Sequence, residues 1–351
     1  MTTTIPINIR AVQVQPNKTV KVISIPFGQD ELVKNLPDDQ IIIRVRAVAL
    51  NPTDWKHGLS DWGTPGIGDR VAGFIYGGSF QINNGAFAEY VRLLAALTFK
   101  MPNNMTYEEG ASFPVAQFTA VQVLYMRLNI SKPFSELASN FGEKEIILIC
   151  GSTAVRHHAI QLALLSHLRV FATALPAAHS DLKALRVERC FDYKADNIVK
   201  QIHLASGDQG IIYGIDTITD NGTTELCVDA MSFTRNSHLM VLLPISKECQ
   251  KRRQDRVKVE FSTAYTLGVH VFTFAHAFKF SAMLEDKARI LEYVAGTMPR
   301  ILKNWKAGEG NNTFRPQRLR RLEGGLEGIE KGLKIMRDGN YGREKLVYTI
   351  D

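Results

Sequence analysis

The sequence is poor in the features that mark secreted, membrane-spanning or zinc-binding proteins. Its four cysteines, Cys150, Cys190, Cys227 and Cys249, form no C-x-x-C pair and have no histidine at ligand spacing. Neither a disulfide framework nor a structural zinc site is predicted, and we expect buried thiols. No apolar run approaches the ~20 residues that cross a bilayer, and "MTTTIPINIRAVQV" lacks the regions of a signal peptide. We expect a cytoplasmic protein without a metal.

Positive charge is in modest excess, but it is not patterned for nucleic acid. The 351 residues are 45% hydrophobic and 22% charged, with a net charge of +7, which is typical of a globular protein long enough for two domains. The basic residues are densest in "KECQKRRQDR" and "RPQRLRR", where no aromatic residue is interleaved to stack on bases. Solvated basic loops are therefore favoured, and attraction to an anionic cofactor or an acidic carrier protein is the other use we expect.

The pattern of apolar segments changes once along the chain. The first hundred or so residues carry short apolar runs such as "VKVISI" and "AFAEYVRL", separated by Pro, Asn and Gly, which predicts a small antiparallel β domain. From about Glu145, the strands "EIILIC", "RVFATAL", "CFDY", "IIYGID" and "HLMVLLP" alternate with helix-length segments. This alternation predicts an α/β fold with a doubly wound parallel sheet. A helix flanked by glycines and a last strand follow.

The segment "ICGSTAVRHHAIQLA" reads as a strand, a tight turn and a helix. In a wound sheet the first such turn meets a pyrophosphate, because backbone N–H groups and the helix dipole point at it. Gly151 permits the tight turn, while Ser152 and Thr153 offer donors. Arg156 stands in the first helical turn, where a small residue is usual. Its guanidinium either reaches the phosphates or fills the groove and excludes them, and we expect the second.

The end of the second wound strand bears on which nicotinamide cofactor binds. No Asp or Glu follows "RVFATAL" to accept a hydrogen bond from the ribose 2′-hydroxyl of NAD. Lys183 and Arg186 come later and either face a 2′-phosphate or are solvated helix residues. The pattern therefore favours NADPH over NADH.

Several segments in order along nearly the whole chain carry a family resemblance. They include "AVALNPTDWKHG", "GDRVAGFIYGG", "MTYEEGASFPVAQFTA", "YTLGVHVF" and "GREKLVYTI". They resemble the medium-chain dehydrogenase/reductase superfamily and, within it, the zinc-free trans-acting enoyl reductases that serve fungal polyketide synthases. The resemblance implies a GroES-like β domain over residues 1–113 and 280–351 and a Rossmann NADPH-binding domain over residues 114–279, with the active site between them.

The resemblance also assigns residues to the site. It implies that Asp54 and Lys56 of "NPTDWK" are the catalytic residues. The cofactor-binding residues that it implies are Asn51, Pro52, Thr53, Asp54, Gly151, Ser152, Thr153, Ala154, Val155, Lys183, Tyr193, Leu242, Leu243, Leu346 and Val347. The residues that it places along the acyl substrate are Leu267, Gly268, Val269 and His270. It implies no metal ligand.

Three departures from the family pattern bear on these assignments. Cys150 and Arg156 stand where the family turn has glycine or alanine. Leu175 replaces the serine of the 2′-phosphate loop, and Arg186 replaces the glycine that ends the next helix. In "DWGTPGIGDRV" the Trp-rich loop runs directly into "GDRV". Relatives carry about a hairpin's length of further strand between these two parts. This short connection is either genuine or a gap in the gene model.

The resemblance implies NADPH-dependent reduction of an α,β-unsaturated thioester held on the acyl carrier protein of a polyketide synthase. Lys56 would donate to the oxygen that gains negative charge, or deliver the α-proton. Asp54 either orients Lys56 or caps the following turn. Two alternatives stay open, a cofactor-poor relative that binds a partner or catalyses a non-redox step, and a quinone-type reductase of free small molecules. We expect a monomer that binds neither nucleic acid nor membrane.

Overall fold

The structure of the protein is a computed structural model. Its described residues are 5–14, 19–37, 40–51, 62–63, 69–75, 85–135, 145–268, 272–274, 278–281, 283–307 and 313–351. The described strands are β1 (Asn8–Val14), β2 (Val20–Pro26), β3 (Gln40–Arg44), β4 (Ala47–Ala49), β5 (Trp62–Gly63), β6 (Val71–Gly73), β7 (Tyr90–Leu94), β8 (Thr98–Lys100), β9 (Ile146–Cys150), β10 (Arg169–Thr173), β11 (Arg189–Phe191), β12 (Tyr213–Asp216), β13 (Ser237–Val241), β14 (Val257–Phe261), β15 (Phe272–Phe274), β16 (Phe278–Phe280), β17 (Leu319–Leu322) and β18 (Lys345–Thr349).

The described α-helices are short, and most of them follow or precede a strand. They are α1 (Glu31–Lys34), α2 (Tyr107–Ser112), α3 (Pro114–Val121), α4 (Ala154–Leu165), α5 (His179–Ala184), α6 (Ile198–Ser206), α7 (Thr223–Ala230), α8 (Lys247–Lys251), α9 (Leu284–Glu292), α10 (Met298–Lys303) and α11 (Ile329–Arg337). Among the described helices, none has the length and apolar character that a membrane span requires.

The chain folds into two compact units. The β unit comprises Met1–Val115, Tyr265–Lys306 and Arg315–Asp351, and the α/β unit comprises Ala116–Ala264 and Ala307–Phe314. The domain limits that the resemblance implies, with changes after residues 113 and 279, stay a prediction.

The α/β unit is built on a six-stranded parallel sheet with the order β11-β10-β9-β12-β13-β14. The chain starts at β9, winds outward through β10 and β11, and then returns to the other side of β9 through β12. This is the strand order of doubly wound dinucleotide-binding folds, in which ligands bind where the winding reverses. The predicted fold class is confirmed, and the five wound strands read from the sequence are present. The sixth, β14, was not predicted.

The sheet is stable because its central strands are apolar on both faces. All five residues of β9 are buried, and Ile146, Leu148 and Cys150 pack into one core with Phe171 and Leu239. A run without polar alternation is what a parallel strand covered by helices on both sides requires.

Three of the four cysteines are buried free thiols, as predicted, whereas Cys190 is partly exposed. The sulfur atoms of Cys150 and Cys227 lie 2.6 Å apart inside the α/β core. Burial, together with the contact with Cys150, raises the pKa of the Cys227 thiol well above its ordinary value. The Cys227 thiol is therefore protonated at neutral pH.

The β unit consists of small sheets rather than one continuous barrel in the described part of the chain. β1 pairs antiparallel with β2, β3 with β7, and β6 with β8. β18 is a central strand, parallel to β17 on one side and antiparallel to β4 on the other. Its Leu346 and Tyr348 pack against Leu50, Val91 and Ile329 in the core of this unit.

The predicted short connection before "GDRV" falls mostly outside the described residues. Of the segment from Trp62 to Asp69, the structure describes β5 and Asp69, and β5 pairs parallel with the end of β7.

Candidate functional site

Most of the predicted cofactor residues of the α/β unit lie at one edge of its sheet. Gly151 to Val155 follow β9, Tyr193 follows β11, and Leu242 and Leu243 follow β13. Because all six strands are parallel, these connections emerge at the carboxyl ends of the strands, where wound sheets bind their ligands. The structure thus brings together residues that are spread over about ninety positions of sequence.

Gly151 occupies a position that no other residue fits. Its φ is +100°, in the left-handed region that favours glycine. A Cβ at this position would lie 2.5 Å from Thr217 Oγ1 and 2.7 Å from Ile218 Cγ1. Thr217 Oγ1 donates a hydrogen bond to the carbonyl oxygen of Cys150 at 2.8 Å. The backbone N–H of Thr217 donates to the same oxygen at 3.2 Å. The turn is therefore fixed against the loop that follows β12.

The turn leads directly into the amino end of α4. Thr153 is the N-cap, and its hydroxyl accepts a hydrogen bond from the backbone N–H of Arg156 at 3.2 Å. Ser152 is exposed, while the twelve-residue helix directs the positive end of its dipole toward this edge of the sheet. A glycine turn, an exposed hydroxyl and a helix amino end fit the diphosphate of a dinucleotide.

Arg156 folds back into the groove between the turn and the neighbouring strand. The residue is 8% exposed. Its Nη2 donates to Ser152 Oγ at 3.3 Å, and its Nη1 donates to the carbonyl of Thr173 at the end of β10 at 3.5 Å. The side chain thus takes the inward course that we expected from the sequence, and it lies at the place where a small residue would leave open space.

A second cation stands near the same groove. Lys183, the predicted 2′-phosphate residue, is exposed on α5. Burial raises the pKa of the Cys190 thiol on β11, while the charges of Lys183 and Arg156 both act to lower it. Both charges therefore act within electrostatic range of Cys190. Tyr193, which follows this strand, is 42% exposed and is available to contact a ligand.

Sequence reasoning missed the carboxylate that shapes the next loop. Asp216 ends β12 and is fully buried. Its oxygens accept hydrogen bonds from the N–H groups of Ile218 and Thr219 and from the hydroxyls of Thr223 and Thr224, at 2.8–3.1 Å. Four donors hold this carboxylate in place, so it organises the loop that packs on Gly151. No local pattern in the sequence identifies such a role.

Of the predicted cofactor-binding residues in the β unit, the structure describes Asn51, Leu346 and Val347. The Asn51 amide donates from Nδ2 to the carbonyl of Ala49 at 3.2 Å, and its Oδ1 accepts a hydrogen bond from Lys345 Nζ. Lys345 is buried and was not predicted. Leu346 and Val347 are completely buried, so neither residue presents accessible surface to a ligand.

Several predicted residues lie outside the described part of the chain. They are Pro52, Thr53, Asp54, Lys56, Val269 and His270. Leu267 is fully buried, and Gly268 ends the short helix that contains it. Among the described residues, no group of three or more His, Cys, Asp or Glu side chains could hold a metal ion.

No protein-family model matches the sequence. Curated proteins do match it along nearly its whole length. The chain is 30% identical over 377 residues to the trans-enoyl reductase caaB of Aspergillus niger, covering 97% of this chain and 99% of that protein. It is also 30% identical to the trans-enoyl reductase ACTTS2 of Alternaria alternata, with the same coverage of both chains. Since 377 exceeds the 351 residues of this chain, caaB carries residues that have no counterpart here.

Solved structures share the fold of this protein over nearly its whole length, although their sequence identity to it is low. The CurK enoyl reductase superimposes with a TM-score of 0.68 at 12% identity, covering 98% of this chain and 99% of that one. A putative zinc-dependent alcohol dehydrogenase from Rhizobium etli gives a TM-score of 0.69 at 18% identity, with coverage of 97% and 98%. These similarities show the fold, and the near-full-length identity to the fungal proteins shows the family. The protein is therefore an oxidoreductase that belongs to the trans-enoyl reductases.

Proposed function

We propose that the protein uses NADPH to reduce the α,β double bond of a polyketide thioester, while that chain is tethered to the acyl carrier protein of a partner polyketide synthase. Membership of the trans-enoyl reductase family supports the reaction type and the kind of partner. The observation that carries the proposal in this chain is the Gly151 turn, which opens onto the carboxyl edge of a doubly wound sheet.

The chain's own residues would hold the cofactor at three places. Gly151 and Ser152 would receive its diphosphate at the amino end of α4. Lys183 would face the 2′-phosphate, in keeping with the lack of an acidic residue directly after β10. Asn51, whose amide is oriented by Lys345, is assigned by the family resemblance to the nicotinamide. When bound, NADPH supplies the hydride that adds to the β-carbon of the thioester.

Reduction at the β-carbon places negative charge on the thioester oxygen, and this charge needs a donor. Lys56 is the proposed donor and also the proposed source of the α-proton, with Asp54 orienting it. Both residues lie outside the described part of the chain, so their assignment is supported by the "NPTDWK" segment alone. Leu267, Gly268, Val269 and His270 are proposed to line the acyl chain. We also propose that the protein is a monomer and that it acts in the cytoplasm.

The test compares three substrates that carry the same enoyl group: a carrier-protein thioester, a soluble pantetheine thioester and a free enone. We expect NADPH oxidation to be fastest with the carrier-bound chain, slower with the pantetheine thioester and absent with the enone. Equal kcat/KM on the free enone would instead identify a quinone-type reductase.

Cofactor choice is tested separately by titration of nicotinamide fluorescence. NADPH should bind at least about tenfold more tightly than NADH, a difference of ~1.4 kcal/mol, and Lys183→Met should reduce this preference. Equal affinities would contradict the proposed 2′-phosphate contact. No fluorescence change with either nucleotide would show a cofactor-poor relative.

A further inference from the structure

An exposed aromatic patch lies on the α/β unit at the sheet edge opposite the Gly151 turn. It comprises His203 and Leu204 at the end of α6, Phe233 between α7 and β13, and Arg253 between α8 and β14. All three segments lead from a helix into a parallel strand, so they gather at the amino ends of the strands. Strands of four or five residues separate this edge from the cofactor edge by about 13–17 Å. The patch, which we call the Phe233 patch, is therefore separate from the candidate site.

The Phe233 ring is exposed, yet it is held in place. Phe233 is 62% exposed. Its ring stacks on the His203 imidazole with centroids 4.5 Å apart and an interplanar angle of 27°. The Arg253 guanidinium carbon lies 4.2 Å from the Phe233 ring centroid. Leu204, which follows His203 in the sequence, is 74% exposed. The patch thus presents two large apolar side chains to solvent, and the Phe233 ring is held at a fixed position.

Both groups that hold the Phe233 ring are anchored to the backbone. His203 Nε2 hydrogen bonds with the carbonyl of Asp229 at 2.9 Å. Arg253 donates to the carbonyls of Val228, Met231 and Ser232 at 2.6–2.9 Å, and so it caps the carboxyl end of α7. Arg253 adopts a φ of +51° to do this, a conformation that costs a non-glycine residue about 1 kcal/mol or more.

Capping explains the position of the arginine, but not the exposure of two large apolar side chains in the same patch. A rigid aromatic ring next to an arginine loses little conformational entropy when a partner covers it. Aromatic and arginine side chains of this kind supply most of the binding energy at protein interfaces. These features are typical of a docking surface for another protein.

The charge around the patch indicates what kind of surface would cover it. The segment 247–256 carries five cations, Lys247, Lys251, Arg252, Arg253 and Arg256, and two acids, Glu248 and Asp255. Four of these cations lie within residues 251–256, and one of them, Arg253, lies over the Phe233 ring. Arg252 is paired with Asp229, and the segment together with this acid keeps a net charge of +2, from five cations and three acids. Such a surface is complementary to an apolar pocket bordered by carboxylates, and charge of one sign also speeds the encounter.

We propose that the Phe233 patch docks the enzyme onto the body of its partner polyketide synthase, through an acidic, apolar pocket on that protein. The inference rests on the proposed function, because an enzyme that acts in trans must be recruited to its synthase. A carrier protein that delivers its tethered chain is expected to dock on the side where the cofactor binds. The opposite edge of the sheet is free for a contact that lasts through the catalytic cycle.

The test separates docking from chemistry. Phe233→Ala and Leu204→Glu act on different elements of the patch, and Leu284→Glu on α9 of the β unit is the control, since Leu284 is 70% exposed. Affinity for the purified synthase is measured by biolayer interferometry, and kcat/KM is measured on the soluble pantetheine thioester. We expect both patch variants to weaken synthase binding at least tenfold, with kcat/KM on the soluble thioester within twofold of the wild type. Leu284→Glu should change neither quantity.

Four outcomes would overturn the proposal. Wild-type affinity in both patch variants would show that the patch is not the contact, and no measurable binding of the wild type would show that no stable docking exists. An equal loss of affinity for the isolated carrier protein would make the carrier the occupant. A wild-type dimer that dissociates in the variants would make a second copy the occupant. Failure of the wild type to reduce the soluble thioester would instead contradict the proposed function.

Discussion

Lys345 on β18 donates a hydrogen bond to the side-chain oxygen of Asn51, a residue 294 positions earlier in the chain. The strand register explains why these two residues lie side by side. Val347 pairs with Ala49 and Tyr348 with Val48, so continuing the antiparallel pairing by two residues places Lys345 opposite Asn51. The Asn51 amide is held at both ends, because its nitrogen donates to Ala49. It is thus oriented by the protein before any ligand arrives.

Loss of this ammonium should destabilise the β unit. Lys345→Met removes a charged donor from the Asn51 oxygen, and we expect the free energy of unfolding to fall by about 1.5–3 kcal/mol, the range for a hydrogen bond to a charged group. Urea denaturation measures it. Lys334→Met is the control, because Lys334 is exposed in an i,i+4 pair with Glu330 and should change stability by less than ~0.5 kcal/mol. Equal effects of the two substitutions would place Lys345 among ordinary surface lysines.

Lys56 should matter for turnover and not for cofactor affinity. Lys56→Met is expected to lower kcat about a hundredfold, the scale of one lost oxyanion donor or proton-transfer group. Single-turnover NADPH oxidation measures the rate, and nicotinamide fluorescence measures the affinity. Lys100→Met is the matched control, since the Lys100 side chain is 72% exposed in a surface ion pair. Normal turnover of the Lys56 variant would show that Lys56 is not a catalytic residue.

Arg156→Gly should tighten NADPH binding. The arginine side chain lies in the groove between Ser152 and Thr173, so its removal opens space beside the turn, and the steric relief should exceed the value of one phosphate contact. Arg156→Lys keeps most of the volume and the charge, and it should leave the affinity unchanged. Fluorescence titration of both variants gives the comparison. Binding weaker by about 1.5–3 kcal/mol in the glycine variant would instead identify a charge-assisted phosphate contact.

Arg186→Gly should stabilise the protein by about 1 kcal/mol. Arg186 follows α5 with a φ of +66°, and the N–H groups of Arg186 and Val187 donate to the carbonyls of Lys183 and Leu182. This is the helix ending in which glycine is preferred, because a Cβ is strained there. Ala184→Gly within the last turn of α5 should have the opposite sign and a similar size. Thermal unfolding distinguishes them, and a loss of stability in both variants would contradict the strain at Arg186.

The sequence predicted those parts of the molecule that depend on local patterns. Short, mostly apolar segments of four to seven residues, alternating with helix-length segments, predicted five of the six wound strands. The sixth, β14, has the sequence "VKVEF" and is partly exposed at the sheet edge, so its alternating pattern resembles the antiparallel strands of the other unit. The Gly151 turn was also predicted, since its strand, turn and helix are adjacent in sequence.

The remaining parts of the site depend on partners that are distant in sequence. The need for glycine at position 151 comes from Thr217, which reaches the turn only when β12 lies beside β9. Lys345 meets Asn51 only through the pairing of β18 with β4. Asp216 looks like any acid at the end of a strand until its four donors surround it. Local patterns do not contain such information, because each relationship is created by the sheet itself.

The pairing of β18 with β4 also sets an order of events while the protein is being made. All six strands of the α/β sheet lie between Ile146 and Phe261, so that sheet is synthesised as one continuous stretch and is complete before the last 90 of the 351 residues emerge. β4 emerges before it but has no partner on this side until β18 is synthesised, 294 residues after Asn51. During that interval β4 presents an open strand edge, and such edges are where newly made chains aggregate. The yield of active enzyme should therefore depend on the rate at which ribosomes translate the second half of the mRNA.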